Sequence, residues 1–139
     1  MLAQFSVHGR PVPQGSVVAH VRGGKASIHY ASGSGLAVWR NMVSAAARDA
    51  WTGDVYGGPI TLTIDFHMQR PRNHYRNLQG DLRSAARDEL PIVAPDLDKL
   101  VRAILDSLTG IVYRDDGQVW SIVTSKSYAE RPGVDIVIA

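Results

Sequence analysis

The sequence predicts one α+β domain over residues 1–139, in which a small mixed or antiparallel sheet packs against two main helices. Three observations support this prediction. A length of 139 residues is typical of a single domain, and 45% hydrophobic residues are enough to build a core. Segments of alternating polarity and segments with apolar residues three and four apart then follow one another along the chain.

The N-terminal segment is predicted to form a strand and a hairpin. Leu2–His8 has the pattern of a short strand, and the proline-rich stretch Gly9–Gly15 ends it because proline cannot donate to a sheet. Ser16–Val21 and Ala26–Tyr30 flank the sequence Arg22-Gly23-Gly24-Lys25, and this arrangement is typical of a β-hairpin.

The middle of the chain is predicted to contain a helix, a strand and a long connection. Leu36–Ala50 carries an apolar stripe at helical spacing, and Ser34 is suited to cap that helix. Ile60–Met68 alternates strictly between apolar and polar residues, which predicts a half-buried strand. A short helix over Leu82–Leu90, capped by Asp81, is expected within the long segment that follows.

The C-terminal third contains the clearest helix. Its apolar residues recur at intervals of three and four from Leu97 to Leu108, with Asp96 at the N-cap position and Gly110 after the end. Strands over Val119–Lys126 and Val134–Ile138 are predicted to follow.

Two groups of acidic residues are the main candidates for chemistry. Asp96 and Asp98 lie at the positive end of the predicted helix, with Arg102 one turn after Asp98 on the same edge. Asp115 and Asp116 precede a glycine in a predicted turn. A simpler interpretation is also open: Asp96 caps the helix, Asp98 pairs with Arg102, and the adjacent acids only form the turn.

If Asp96, Asp98 and Asp116 converge, their repulsion requires a cation. Ligands that are all oxygen favour Mg²⁺ or Mn²⁺, and such an ion activates water and stabilises an oxyanion at phosphorus. Lys126, at the end of the strand after the turn, is a candidate phosphate ligand, although a surface lysine is an equal alternative. Asp106 is expected to be a solvated or capping residue.

Composition and motifs exclude several classes of protein. The chain has no cysteine, which excludes disulfide scaffolds, thiolate zinc sites and cysteine nucleophiles. Neither a signal peptide nor an apolar run of membrane-spanning length is present, so a cytoplasmic protein without membrane association is expected. Motifs of zinc proteases, phosphate-binding loops and α/β-hydrolases are also absent.

The 15 basic and 13 acidic residues nearly balance, but arginines are concentrated in one segment. These are Arg70, Arg72, Arg76, Arg83 and Arg87, with His67 and His74 nearby. A basic stretch beside an acidic cluster suits a protein that handles a polyanion through a bound cation, whereas a solvated loop is the alternative.

Residues 95–110, with the sequence PDLDKLVRAILDSLTG, resemble the signature of RusA-type Holliday-junction resolvases, which runs roughly P-D-L-D-N-L-x-K-A-x-x-D-A-L-x-G. Tyr113–Val119 is similar to the D-D-x-Q-V turn of that family, and Lys126 matches the lysine that closes the next strand. Val7–Gly15 agrees more loosely with the opening strand and proline-rich turn. The resemblance therefore extends over nearly the whole chain.

The resemblance implies a homodimeric, Mg²⁺- or Mn²⁺-dependent endonuclease of bacterial or phage-infected cells. Such enzymes bind four-way junctions and nick two strands symmetrically in DNA recombination and repair. By position, Asp96, Asp98 and Asp116 would bind the metal, with Asp115 as a further candidate ligand. Arg102 would take the place of a functional lysine.

Six basic residues are expected to contact the DNA backbone: Arg70, Arg72, Arg76, Lys99, Arg102 and Lys126. Of these, Arg102 and Lys126 are also expected to offset charge in the transition state. Lys99 departs from the family pattern, because it replaces an asparagine beside Asp98. This departure is the basis of the alternative hypothesis, a junction-binding protein with weak or no catalytic activity.

Overall fold

The structure is a computed structural model that describes residues 2–15, 17–30 and 35–139. Its helices and strands, in chain order, are β1 (Ala3–His8), β2 (Val17–Arg22), β3 (Lys25–Tyr30), α1 (Leu36–Ala50), β4 (Ile60–Gln69), α2 (Leu97–Leu108), β5 (Val119–Ala129) and β6 (Gly133–Ile138). The predicted strands and both predicted main helices are therefore confirmed. Ser16, the first residue of the predicted hairpin, and Ser34, the predicted cap of α1, lie outside the described residues.

The main sheet has four strands in the order β1-β6-β4-β5. Strand β6 is antiparallel to both of its neighbours, whereas β4 and β5 are parallel. Consequently β1, β4 and β5 all run in the same direction, and their C-terminal ends lie at one edge of the sheet. The mixed sheet and the two helices confirm the predicted α+β fold.

The two faces of the sheet differ in polarity because alternate side chains of a strand point to opposite sides. Along β4 every second residue from Ile60 to Met68 is buried. The opposite face carries a polar cluster in which Asp135 accepts a hydrogen bond from Ser6 Oγ at 2.5 Å and lies 2.7 Å from His67 Nε2. The sheet therefore has one face for the core and one polar face.

Both helices pack on the apolar face of the sheet. Trp39 and Val43 of α1 and Leu100 and Ile104 of α2 are almost completely buried in one common core. The turn after β1 packs closely against α1. A Cβ atom at Gly9, which has φ of 151°, would lie only 3.2 Å from Cε of Met42 on that helix. Both helices are therefore held against the same face of the sheet.

Strands β2 and β3 form a separate antiparallel hairpin. Its two-residue turn, Gly23-Gly24, has φ values of 59° and 75°, a conformation that glycine adopts without strain. The predicted hairpin is confirmed.

The predicted short helix over residues 82–90 is wrong. Only a single 3₁₀ turn, Ser84–Ala86, occurs there. The backbone of this region bonds elsewhere: Arg83 N–H donates to His74 O at 2.9 Å, and Arg76 N–H donates to Asp81 O at 2.7 Å. These cross-links replace the helical hydrogen bonds, so that Asp81 belongs to a compact loop.

No helix in the described part of the chain is long and apolar enough to cross a membrane.

Candidate active site

Asp96 and Asp98 lie together at the N-terminus of α2. Asp96 occupies the N-cap position without making a side-chain capping bond, and Asp98 lies in the first turn. Both carboxylates are exposed. Within residues 2–15, 17–30 and 35–139, the ion pair of this region joins Lys99 Nζ to Asp96 Oδ2 at 3.6 Å, and none joins Asp98 to Arg102. The simpler interpretation for these residues predicted a side-chain cap by Asp96 and an Asp98–Arg102 ion pair, and the structure contains neither of them.

Lys126 ties the end of β5 to the segment that enters α2. Its Nζ donates to Val93 O and to Pro95 O, both at 2.9 Å. An ammonium group has three hydrogens, so one donor and the full positive charge are left for a ligand. Because Asp96 follows Pro95 directly, Lys126 holds the backbone from which the acid pair projects.

Asp116 lies at the opposite end of the molecule from this pair. It precedes β5, whereas Lys126 lies toward the end of that strand, about 23 Å from the first residue, Val119, at the usual rise of about 3.3 Å per residue. The 12 residues of α2 span about 18 Å. The charge of Asp106, near the C-terminal end of this helix, contributes to the raised pKa of Asp116, so Asp116 lies near that end. One chain therefore does not bring Asp116 together with Asp96 and Asp98.

Asp115 and Asp116 lie side by side in a capped turn. Asp115 Oδ1 accepts a hydrogen bond from Gly117 N–H at 2.8 Å, and this bond, with a second one from the Asp116 side chain, lowers the pKa of Asp115. The pKa of Asp116 is raised, first by its hydrogen bond to Asp115, then by partial burial and by the charges of Asp115 and Asp106. The turn prediction is confirmed, and the two neighbouring carboxyls have pKa values shifted in opposite directions.

The expectation that Asp106 is a solvated or capping residue is wrong. It is half-buried, and it accepts a hydrogen bond from Nε2 of the buried Gln14. Together with Thr109, Asp115 and Asp116 it lines a cleft of about 400 Å³ that also contains two arginines. Gln14 lies in the turn after β1. Because it is 92 residues from Asp106 along the chain, no local sequence pattern could predict this contact.

In the described ranges, no group of three or more His, Cys, Asp or Glu residues is arranged to hold a metal ion. The Asp96–Asp98 pair nevertheless suits Mg²⁺, since this ion is usually bound through one or two carboxylates together with waters and substrate phosphates. The exposed carboxylates and their all-oxygen chemistry therefore fit a divalent ion, although the predicted trio is not assembled within one chain.

A cleft of about 650 Å³ opens beside the acid pair, at the C-terminal ends of β1, β4 and β5. Three cations line it: Arg10, Arg70 and Lys126. No acidic residue is found among the described residues that line this cleft. Arg10 was not among the predicted site residues, because a single arginine before a proline carries no distinctive signal.

Arg70 is held in place by a cluster of side chains around the buried His74 that the sequence did not reveal. Its Nη1 donates to Ala86 O at 2.9 Å, and its guanidinium lies 5.9 Å above the centre of the Tyr128 ring. The ring of the buried His74 meets Tyr128 edge-on, and its Nε2 lies 3.1 Å from Glu89 Oε2. Arg70 is therefore fixed at the cleft wall, whereas a loop arginine would otherwise be mobile.

The other basic residues predicted to contact DNA lie on the surface. Arg72, Arg76 and Arg102 are exposed, and Lys99 is half-buried beside Asp96. Arg76 Nη2 lies 3.7 Å from Asp81 Oδ2, an exposed pair that contributes little to stability.

Comparison with known proteins adds two findings. The family model described as endodeoxyribonuclease RusA matches residues 8–139. The chain is also 28% identical over 136 residues to the uncharacterized protein YqaN of Bacillus subtilis (strain 168), and the match covers 97% of this chain and 94% of that protein. On the evidence of a match over nearly its whole length, this chain belongs to the RusA endodeoxyribonuclease family.

Proposed function

We propose that this protein is a Mg²⁺- or Mn²⁺-dependent endonuclease that resolves four-way DNA junctions by paired nicks, in recombination and repair in the cytoplasm of a bacterial or phage-infected cell. The observation that carries the proposal is the position of Asp96 and Asp98 at the N-terminus of α2, directly beside a cleft lined by cations. A site that holds both a divalent ion and a phosphodiester needs these two features side by side.

Asp96 and Asp98 would hold the divalent ion, which supplies an activated water and polarises the phosphate. The residues of the chain provide the positioning. Lys126 fixes the backbone at Pro95, and the N-terminal end of α2 places its partial positive charge beside both carboxylates.

Phosphate binding falls to the cations around the pair. Arg102 lies one turn after Asp98 on the exposed side of α2, where its planar guanidinium can contact two phosphate oxygens. Arg70 and the remaining donor of Lys126 lie in the cleft. Because Arg70 and Lys126 are already held by their contacts, they would stabilise developing negative charge without reorganising.

The protein is proposed to act as a homodimer in which a second copy supplies Asp116. Strand β5 is an edge of the described sheet, and its Trp120 and Val123 side chains are 72% and 63% exposed. Antiparallel pairing of two β5 strands about a two-fold axis near Val123 would place Asp116 of one copy beside the Lys126 end of the other.

Charge favours this antiparallel arrangement. The acidic turn with Asp115 and Asp116 precedes β5, whereas the cationic cleft with Lys126 lies at its other end. Antiparallel copies therefore bring the negative end of one chain to the positive end of its partner. Two equivalent sites related by a two-fold axis also match two scissile strands.

The dimer is tested by mixing two inactive variants, Asp98→Asn and Asp116→Asn. If Asp116 acts across the interface, a mixed dimer has one site with both changes and one intact site, so about one quarter of the sites recover. If the acids of one site came from one chain, mixing would restore no activity.

Light scattering gives a second test of the dimer. Trp120→Glu should yield a folded monomer, whereas Val38→Glu, at an exposed position of α1, should leave the dimer intact.

One observation favours the alternative function, a junction-binding protein with weak or no activity. Lys99 Nζ lies 3.6 Å from Asp96 Oδ2, so a cation already neutralises one proposed metal ligand. That protein would bind branched DNA in a salt-dependent manner without Mg²⁺-dependent nicks.

Incubation with four-way, duplex and single-stranded DNA, with and without Mg²⁺, separates the two functions. The nuclease predicts symmetric nicks in the four-way junction that require the metal. Binding of the junction without any nick, at every Mg²⁺ and Mn²⁺ concentration, would instead establish the alternative.

A further inference from the structure

We infer that the cleft beside the acid pair binds a single unpaired nucleotide of the DNA, with its phosphate on the cations and its base between apolar walls. The inference rests on the proposed function and names the part of the branched substrate that the site takes. The cleft has a volume of about 650 Å³, which is within the usual range for sites that enclose a small ligand.

The charge in the cleft selects an anion. Arg10, Arg70 and Lys126 contribute three positive groups, and the described lining contains no carboxylate to oppose them. Arg10 is exposed at the rim, whereas Arg70 is fixed by Ala86 O and Tyr128. A phosphate group is the anion that a nucleic-acid enzyme meets.

The rest of the lining selects a flat apolar group. Apart from Gln69, the remaining lining is apolar or aromatic: Val12, Met68, Val93, Ala94, Tyr128 and the five prolines Pro11, Pro13, Pro71, Pro91 and Pro95. Proline has no N–H and a rigid ring, so such walls offer apolar contact surface with few donors to leave unpaired. A ligand that carries both a phosphate and a flat ring is a nucleotide.

An intact duplex cannot use this cleft, because its bases are stacked inside the helix and only its phosphates and groove edges are accessible. A nucleotide that leaves the stack can insert its base, and leaving costs least where the base is already unpaired, as at a branch point. The cleft therefore provides selectivity for branched DNA that surface arginines cannot provide.

The first test uses the metal-free protein and three probes: deoxycytidine monophosphate, deoxycytidine and inorganic phosphate. The monophosphate should bind at least tenfold more tightly than either of the others. Val93→Trp, which fills the cleft and leaves its cations in place, should remove this advantage while phosphate still binds. Ile92→Trp is the matched control, since Ile92 is 89% exposed and does not line the cleft.

The second test identifies DNA as the source of the nucleotide. Val93→Trp should weaken binding to a four-way junction about tenfold and leave binding to a duplex of equal length unchanged, whereas Ile92→Trp should alter neither. A junction affinity that Val93→Trp does not change would overturn the inference, as would equal binding of the monophosphate and inorganic phosphate.

These outcomes are separable from those of the nuclease assay. A wild-type protein that shows the nucleotide preference but never nicks DNA would refute the nuclease and keep the subsite. Normal nicking without a nucleotide preference would refute the subsite alone.

Discussion

The ammonium group of Lys126 lies 2.9 Å from the carbonyl oxygen of Pro95, the residue before Asp96. A second carbonyl, that of Val93, accepts from the same nitrogen at the same distance. Through these two bonds the end of β5 determines where the N-terminus of α2 lies. The lysine that the sequence suggested as a phosphate ligand is thus also a brace for the acid pair.

Lys126→Met should lower the free energy of unfolding by about 1–2 kcal/mol, because it removes two hydrogen bonds from a charged donor and leaves the Pro95 carbonyl partly buried. Urea denaturation measures this change, and hydrogen exchange should increase locally around residues 93–98. Lys126→Arg, which retains charge and donors, is the control and should recover most of the stability. Exchange that is unchanged in the methionine variant would contradict the brace.

Lys99→Asn should lower the Mg²⁺ concentration needed for half-maximal nicking several-fold, since it removes the cation 3.6 Å from Asp96. Stability should change by less than about 0.5 kcal/mol, because exposed pairs contribute little. Nicking rates across a Mg²⁺ titration give the result. A variant that needs as much metal as the wild type would show that Lys99 does not compete with it.

Asp116→Asn should raise the melting temperature of the metal-free protein at pH 7. The pKa of Asp116 is raised above its ordinary value of 3.8, first by the side chain of Asp115, so the ionised form destabilises the folded state above that pKa. The gain should disappear as the pH falls through the raised pKa, where the wild-type carboxyl is protonated. Calorimetry at several pH values tests this, and a gain that persists at pH 3 would contradict it.

Ser6→Ala should reduce stability at neutral pH but not in strong acid. The pKa of Asp135 is lowered from 3.8, first by the hydrogen bond from Ser6 and then by His67. A lowered carboxyl pKa stabilises the fold above 3.8, and this contribution is lost as the pH falls through the lowered pKa. Urea denaturation of both proteins from pH 7 to pH 2 should therefore show a difference that shrinks with acidity; a constant difference would refute the assignment.

The elements that the sequence predicts well are those whose pattern is local. The alternation of Ile60–Met68 and the apolar spacing of Leu97–Leu108 each require only neighbouring residues, and both elements form as predicted. The loop with Asp81 is held instead by hydrogen bonds to residues that precede it, so the short helix expected there does not form.

Which residues lie beside Asp96 and Asp98 depends on the direction in which β5 runs. No local sequence pattern predicts that direction. The turn with Asp115 and Asp116 follows the C-terminal end of α2. It would lie near the start of α2 only if the chain ran back along the helix before reaching the turn. Here β5 begins at the far end of α2 and runs parallel to β4, so that Lys126, and not Asp116, reaches the acid pair. The contacts of Arg70 with Ala86 and Tyr128 are likewise set by tertiary packing.

The most direct test of the central claim is the rate at which Asp98→Asn nicks a synthetic four-way junction in saturating Mg²⁺. Loss of a carboxylate that holds the ion should lower the rate by about 100-fold or more while junction binding and folding are retained. Asp49→Asn, an exposed change on α1, is the control and should nick at the wild-type rate. If Asp98→Asn nicks the junction as fast as the wild type, the proposed active site is wrong.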